Sequence, residues 1–94
     1  MCFVCGRDNP VGLKLTFFEE PETQRVRADF VVPAAYQGYP GIVHGGIVST
    51  ILDEVSGRAV MMASGGERLF ATVKLTVRFH RPTPTESPLS AYGW

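Results

Sequence analysis

Neither sign of charge is in excess in this sequence. Nine lysine and arginine residues balance nine aspartate and glutamate residues, so the formal net charge at pH 7 is zero. A protein that attracts nucleic acid or an acidic membrane surface through its overall electrostatic field carries a net positive charge. We therefore expect neither kind of partner, and a polyanionic ligand would need a local cluster of basic side chains.

A long uninterrupted apolar run is also lacking. The longest apolar stretch, 47–62, contains three charged residues: Asp53, Glu54 and Arg58. The first residues do not resemble a signal peptide, which needs a basic start followed by an apolar core. We therefore expect a cytoplasmic protein without a membrane-spanning segment.

Cysteine is scarce, since it occurs only as the pair Cys2 and Cys5. A structural zinc site usually needs four ligands, and His44 or His80 could complete one only by folding back onto the pair. Thioredoxin-type redox chemistry is disfavoured because no predicted strand precedes the pair. We expect a reduced, partly buried pair of thiols and no metal site.

The most informative stretch is 38–66, in which an irregular segment rich in glycine leads into one long helical pattern. Apolar residues recur on most sides of 47–62, so the spacing predicts a helix that is buried nearly all round. Gly65 and Gly66 predict its C-terminal stop.

The predicted start of this helix has none of the usual capping residues. Without Ser, Thr, Asp or Asn there, the backbone N–H groups near Gly45, Gly46 and Ile47 have no predicted partner. Together with the helix dipole, such groups would stabilise negative charge, including a carbonyl oxygen that becomes an oxyanion. The alternative is that the two glycines only form a tight turn.

Asp53 lies two turns into the predicted helix, among small neighbours three and four positions away. A buried carboxylate is costly unless it is paired, hydrogen-bonded or used in chemistry. Asp53 is therefore either a functional group that faces a groove or a structural one satisfied by Thr50 or by another strand. Glu54 differs, because Arg58 four residues later predicts an ordinary helical ion pair.

Alternating apolar and polar residues predict strands on both sides of the helix. The segments 13–19 and 23–32 are joined by a short polar connection, which predicts an antiparallel pair. The segment 70–81 alternates most regularly, and its predicted inward face consists of Ala71, Val73, Leu75, Val77 and Phe79. The proline-rich segment 81–88 predicts a connection that blocks ladder pairing, and 89–94 predicts the opening of another strand.

Two groups of side chains outside the helix are candidates for ligand contacts. Tyr36 and Tyr39 lie in the loop before the helix, where they either line an apolar channel or cap the core. Basic residues cluster on and after the segment 70–81, where they either bind phosphate or form a solvated sheet face. These residues are Lys74, Arg78, His80 and Arg81.

The run 41–46 (Gly-Ile-Val-His-Gly-Gly), followed six residues later by Asp53, resembles the signature of hotdog-fold acyl-CoA thioesterases of the phenylacetic-acid-degradation type. The segments 2–6, 9–13, 36–38 and 81–82 are also similar to that family. The resemblance implies an α+β hotdog fold, in which an antiparallel sheet wraps around one long central helix. It further implies a homodimer or homotetramer that binds acyl-CoA between subunits.

The family's sheet has two further strand-lengths after the point where this sequence stops. We therefore expect one thioesterase-like domain over 1–94 that lacks the last strands, either as a truncated product or with pairing supplied by another chain.

The same resemblance implies catalytic roles. The thioester carbonyl would point at the N–H of Gly45 or Gly46, and Asp53 of the facing subunit would act as general base or nucleophile. His44 would orient the loop or contact the thioester, unless it is only a hydrogen-bonded turn histidine. Thr72 of the partner subunit would reach the attacking water. The scheme requires no metal and no cofactor.

The two groups of side chains outside the helix supply the candidate substrate contacts. The acyl group would meet Tyr36 and Tyr39, and the phosphates of CoA would meet Arg78, His80 and Arg81. Two other functions stay open: a hydroxyacyl dehydratase of the same fold, and a non-catalytic acyl-CoA-binding or inactive domain. The paired glycines after His44 favour the thioesterase over the dehydratase.

Overall fold

One long helix packs against a small antiparallel sheet in this protein. The computed structural model describes residues 1–66 and 71–94. Its elements are β1 (Phe18–Glu20), β2 (Arg25–Val31), a 3-10 turn (Ala34–Tyr36), α1 (Gly45–Ala63) and β3 (Pro88–Gly93). The sheet order is β1-β2-β3 with both pairs antiparallel, and α1 contacts β2 and β3. The predicted α+β class is confirmed.

The predicted hairpin forms, with Phe18 opposite Arg27 and Glu20 opposite Arg25. The alternation predicted for the second strand is confirmed as well. Val26, Ala28 and Val32 are buried against the helix side of the sheet. Because successive side chains on a strand point to opposite faces, this one segment supplies the centre of the core.

The predicted strand 13–19 is wrong over 13–17, because β1 begins only at Phe18. Lys14 adopts a positive φ of 54°, which interrupts an extended strand. On either side of it, the N–H groups of Leu13 and Leu15 donate to the carbonyls of Phe3 and Val4 at 2.7 and 2.8 Å. The N-terminal segment therefore covers this part of the core.

The predicted helix is confirmed and begins two residues early, at Gly45. It ends in the predicted glycines: Gly66 donates to the carbonyl of Met61 at 2.7 Å and Gly65 to that of Met62 at 3.1 Å, with positive φ at both glycines. Within the part of the chain that the structure describes, no helix has the length and apolar character needed to cross a membrane.

Burial of α1 on nearly all sides is not observed. Its buried residues are Ile51, Val55 and Ala59, which form one stripe, whereas Val60 is 48% exposed. A sheet of three strands covers only one face of a helix, and the sequence pattern does not reveal how many strands are present.

The predicted strand over 70–81 is wrong for the described residues 71–81, and Phe70 lies outside them. No described strand lies beside this segment, so its backbone gains no ladder hydrogen bonds there. Its predicted inward face is not buried: Val73 is 99% and Phe79 58% exposed. The prediction that this face points inward is therefore wrong for Ala71, Val73, Leu75 and Phe79, which are exposed, whereas Val77 is half-buried.

The proline-rich connection does pair, contrary to prediction. The N–H of Val43 donates to the carbonyl of Thr83 at 2.8 Å, and the N–H of Thr85 donates to that of Gly41 at 3.0 Å. These bonds flank an isolated bridge between Ile42 and Pro84. Because proline lacks only the donor, its neighbours can still form hydrogen bonds, and they hold the loop that leads into α1.

The final predicted strand is confirmed as β3, which pairs with β2 so that Ala28 lies opposite Ala91. Its last residue approaches α1 closely. A Cβ placed on Gly93 would lie 2.5 Å from the carbonyl oxygen of Val55 and 3.4 Å from the Cβ of Ala59. Glycine at this position thus permits direct contact between strand and helix backbone.

Candidate functional site

His44 caps the start of α1, so the predicted absence of a cap is wrong. Its Nδ1 accepts a hydrogen bond from the N–H of Gly46 at 2.9 Å, and its carbonyl accepts from Ile47 and Val48 at 2.9 and 3.1 Å. Sequence reasoning missed this role because histidine is not among the common capping residues. The alternative of a hydrogen-bonded turn histidine describes the observed geometry.

Two of the three amides that were predicted to lack partners are therefore engaged, those of Gly46 and Ile47. The N–H of Gly45 has no acceptor among the residues that the structure describes. It is the first residue of a helix of 19 residues, where the dipole favours negative charge. Of the three predicted N–H groups, only that of Gly45 therefore remains as a candidate donor to an anion.

The two glycines have different surroundings. A Cβ on Gly46 would lie 3.1 Å from Nδ1 of His44, so a side chain there would press on the capping imidazole. A Cβ on Gly45 would meet only the ring of Phe79, at 3.6 Å, which is an ordinary van der Waals distance. The backbone at Gly45 therefore remains approachable.

A cleft of about 660 Å³ opens at this helix start. This volume is in the range of small-molecule sites. Of the predicted phosphate-binding residues, His80 and Arg81 line the cleft, whereas Arg78 does not. The remaining lining is mostly apolar or glycine, and it includes Gly45, Val48 and Phe79.

The two loop tyrosines have separate roles. Tyr39 is 79% exposed and lines the cleft. Tyr36 packs its ring edge-on against Phe3, with the ring centroids 6.1 Å apart, and its hydroxyl donates to the carbonyl of Val11. It also lines a smaller cavity of about 390 Å³ with His44 and Gly46. Capping of the core, the alternative for Tyr36, matches these contacts.

Asp53 is half-buried and hydrogen-bonded within its own chain. The hydroxyl of Thr72 donates to its Oδ1 at 2.5 Å. Satisfaction by Thr50 is not observed, because that hydroxyl donates to the carbonyl of Gly46 at 2.7 Å. Asp53 does not line the cleft at the helix start. Since it follows Gly45 by eight residues of helix, the two are about 12 Å apart along the axis.

The cysteine pair faces the same helix. The predicted ion pair joins Arg58 Nε to Glu54 Oε2 at 3.0 Å, and the thiol of Cys2 donates to Glu54 Oε1 at 3.8 Å. A hydrogen bond from the backbone N–H of Cys5 is the main cause that lowers the pKa of Cys2, whereas burial raises the pKa of Cys5. This contact could not be predicted from local sequence patterns, because 52 residues separate Cys2 from Glu54.

Comparison with known families adds to this geometry. A sequence model of the thioesterase superfamily matches residues 40–94, which is more than half of the chain and includes the helix start, Asp53 and β3. The chain belongs to the thioesterase superfamily. The matched residues thus include most of the loop that leads into the helix, the helix itself and the final strand.

Individual proteins of this superfamily are similar over most of the chain. Acyl-coenzyme A thioesterase THEM5 of Homo sapiens is 34% identical over 81% of it, and acyl-coenzyme A thioesterase THEM4 of Rattus norvegicus is 28% identical over 87%. The chain spans only 30% and 34% of their respective lengths.

A solved structure supports the same assignment. The crystal structure of a thioesterase superfamily protein aligns with a TM-score of 0.81 and 34% identity over 95% of this chain and 42% of the other. The predicted hotdog fold, with an antiparallel sheet against one long central helix, is confirmed by this match.

Proposed function

We propose that this chain hydrolyses acyl-CoA thioesters in the manner of the phenylacetic-acid-degradation type, at a site shared between two copies. The observation that carries the proposal is that Gly45, whose N–H has no acceptor among the described residues, lines a cleft together with His80 and Arg81. The names of the similar proteins, which are acyl-coenzyme A thioesterases, support this substrate class.

In this proposal the N–H of Gly45 receives the carbonyl oxygen of the thioester. When water attacks, that oxygen gains negative charge, which an aligned N–H at a helix N-terminus stabilises. The N–H of Gly46 becomes a second donor only if the imidazole of His44 releases it, since the two are bonded at 2.9 Å. His44 is therefore a positioning residue for the helix start.

Asp53 of a second copy is the proposed base. Its own Gly45 is too far away, because a base must reach the reacting water at hydrogen-bond distance or through one water. Asp53 takes a proton from water as the water oxygen bonds to the carbonyl carbon. The carbon–sulfur bond then breaks, CoA leaves as a thiolate, and the proton passes to that sulfur. Thr72, bonded to Oδ1, leaves the other carboxylate oxygen for water.

The cleft suits the two ends of an acyl-CoA. The side chains of His80 and Arg81, which line the cleft, offer donors to phosphate, and Arg78 lies nearby in sequence. Apolar Val48 and Phe79, together with Tyr39, offer contacts to the acyl or pantetheine chain. A homodimer is the smallest assembly that completes the proposed site, and a homotetramer would contain two such dimers.

The first test is release of free CoA thiol from a panel of aromatic and medium-chain acyl-CoAs. We expect turnover with the wild-type chain and a loss of about 10²–10⁴-fold in Asp53→Asn, which keeps the shape and removes the base. Thr50→Ala is the matched control, because that hydroxyl lies on the same helix and, within residues 1–66 and 71–94, bonds only to the backbone carbonyl of Gly46. It should retain turnover.

Two results would redirect the assignment. Change in enoyl absorbance without thiol release would favour a hydroxyacyl dehydratase, and saturable acyl-CoA binding without turnover of any kind would favour a binding module. Equal turnover in wild type and Asp53→Asn would remove Asp53 from the mechanism.

A further inference from the structure

A cluster of ligand-type side chains lies outside the proposed catalytic site, where the N-terminal turn meets the middle of α1. The sulfurs of Cys2 and Cys5 and a carboxylate oxygen of Glu54 lie within 4.8 Å of one another. The N–H of Gly6 donates to the carbonyl of Cys2 at 2.9 Å and closes the turn that carries both thiols. A Cβ on Gly6 would lie 2.6 Å from the backbone of Cys2, so only glycine allows this turn.

The carboxylate of Glu54 is held in place from the other side. Its Oε2 accepts a hydrogen bond from Arg58 Nε at 3.0 Å, whereas Oε1 faces Cys2 at 3.8 Å. The guanidinium of Arg58 in turn lies over the ring of Phe17, 4.5 Å from its centroid. Arg58 thus fixes one carboxylate oxygen of Glu54, and the other oxygen is directed at the thiols. Carboxylates that ligate metal ions are held by hydrogen bonds to neighbouring groups in the same way.

We propose that Cys2, Cys5 and Glu54 bind one zinc ion, with a solvent molecule as the fourth ligand on the exposed side of Cys2. Thiolate and carboxylate ligands are both common for zinc in tetrahedral sites. Two thiolates, one carboxylate, the zinc ion and the neighbouring guanidinium of Arg58 together form a charge-neutral group. Both thiols lose their protons to solvent when the ion binds.

The observed spacing is close to what zinc requires. Zinc–sulfur bonds of about 2.3 Å place neighbouring ligands of a tetrahedral site about 3.8 Å apart. The present separations of up to 4.8 Å therefore need side-chain movements of only about 1 Å. Such a site would fasten the N-terminal turn to α1, and it lies outside the groups that the proposed thioester hydrolysis uses.

The test uses the full chain, reduced and freed of metal by a chelator, and then titrated with cobalt and with zinc. We expect one metal ion per chain, a thiolate-to-cobalt charge-transfer band, and a rise in Tm when zinc is added. Cys2→Ser and Cys5→Ser should lose the band. Because Cys2 is exposed, Cys2→Ser should still fold, as its circular dichroism spectrum would show.

Arg58→Met removes the hydrogen bond that holds the carboxylate of Glu54. It should weaken zinc affinity by about 10–100-fold, measured in competition with a chromogenic chelator. Glu20→Gln is the control, because it breaks surface ion pairs with Arg25 and Arg27 away from the turn. It should leave zinc affinity unchanged. Metal uptake that persists in the Cys2→Ser/Cys5→Ser double variant, or a reduced wild type that takes up no cobalt and forms only a disulfide, would overturn the proposal.

Discussion

At the scale of single residues, His44 determines which backbone N–H groups at the start of α1 lack a hydrogen-bond acceptor. The N–H of Gly46 donates a hydrogen bond to Nδ1 of His44. The N–H groups of Ile47 and Val48 donate to the carbonyl of His44. The sequence predicts an oxyanion site at this stretch, but it predicts three N–H groups without a partner instead of one. The difference arises because local side-chain capping depends on the rotamer and tautomer of a single ring.

The cap itself can be tested by stability. His44→Ala should destabilise the chain by about 0.5–2 kcal/mol, because the N–H of Gly46 loses its partner, whereas His44→Asn should recover most of this since asparagine is a good cap. Urea unfolding followed by circular dichroism gives both values. His80→Ala is the control, as His80 is exposed and should change stability little. An unchanged midpoint in His44→Ala would contradict the capping role.

At the scale of elements, the same alternating pattern has two different outcomes. In β2 it produces a buried face, since β1 and β3 pair with β2 and α1 packs against it, whereas the segment 71–81 has no described strand beside it and is mostly exposed. A period of two indicates that a segment can form a strand. It does not indicate whether a neighbouring strand is present. For this reason the strand prediction is correct for β2 and wrong for 71–81.

The contact between α1 and β3 is also testable. Gly93→Ala should destabilise the chain by about 1–3 kcal/mol, because the new Cβ would overlap the carbonyl of Val55. Gly57→Ala is the matched control in the middle of α1, where a Cβ would meet nothing within 4 Å. It should stabilise by about 0.5–1 kcal/mol, since alanine favours helix over glycine. Thermal or urea unfolding of both variants measures whether their changes in the free energy of unfolding have opposite signs. A Gly93→Ala variant as stable as wild type would contradict the close contact between α1 and β3.

At the scale of the whole molecule, the proposed site needs two copies. Gly45 and Asp53 lie on one helix about 12 Å apart, so neither the same thioester nor the same water can reach both within one chain. The exposed apolar side chains of 71–81, which include Val73 and Phe79, favour association as well. The sequence indicated a shared site only through its resemblance to a family, because spacing along a helix does not show what a second copy contributes.

Mixing two inactive variants tests this sharing. Gly45→Pro removes the amide donor and Asp53→Asn removes the base, yet a mixed dimer would retain one complete site. If the variants are unfolded and refolded together, random pairing should restore roughly a quarter of wild-type thiol release. Each variant refolded alone is the control and should stay inactive. A mixture that also stays inactive would mean that both groups must come from one chain.

The role of the Gly45 N–H is best measured by comparing kcat for thiol release between Gly45→Pro and Gly45→Ala. Proline fits the first position of a helix, and His44, with φ −57° and ψ 135°, already has the backbone conformation that a following proline prefers. The change therefore removes the N–H with little disturbance of the helix, whereas alanine keeps it. We predict a kcat about 10²–10³-fold below wild type for Gly45→Pro and near-normal turnover for Gly45→Ala. Equal activity of the two folded variants would contradict the claim that this amide stabilises the oxyanion.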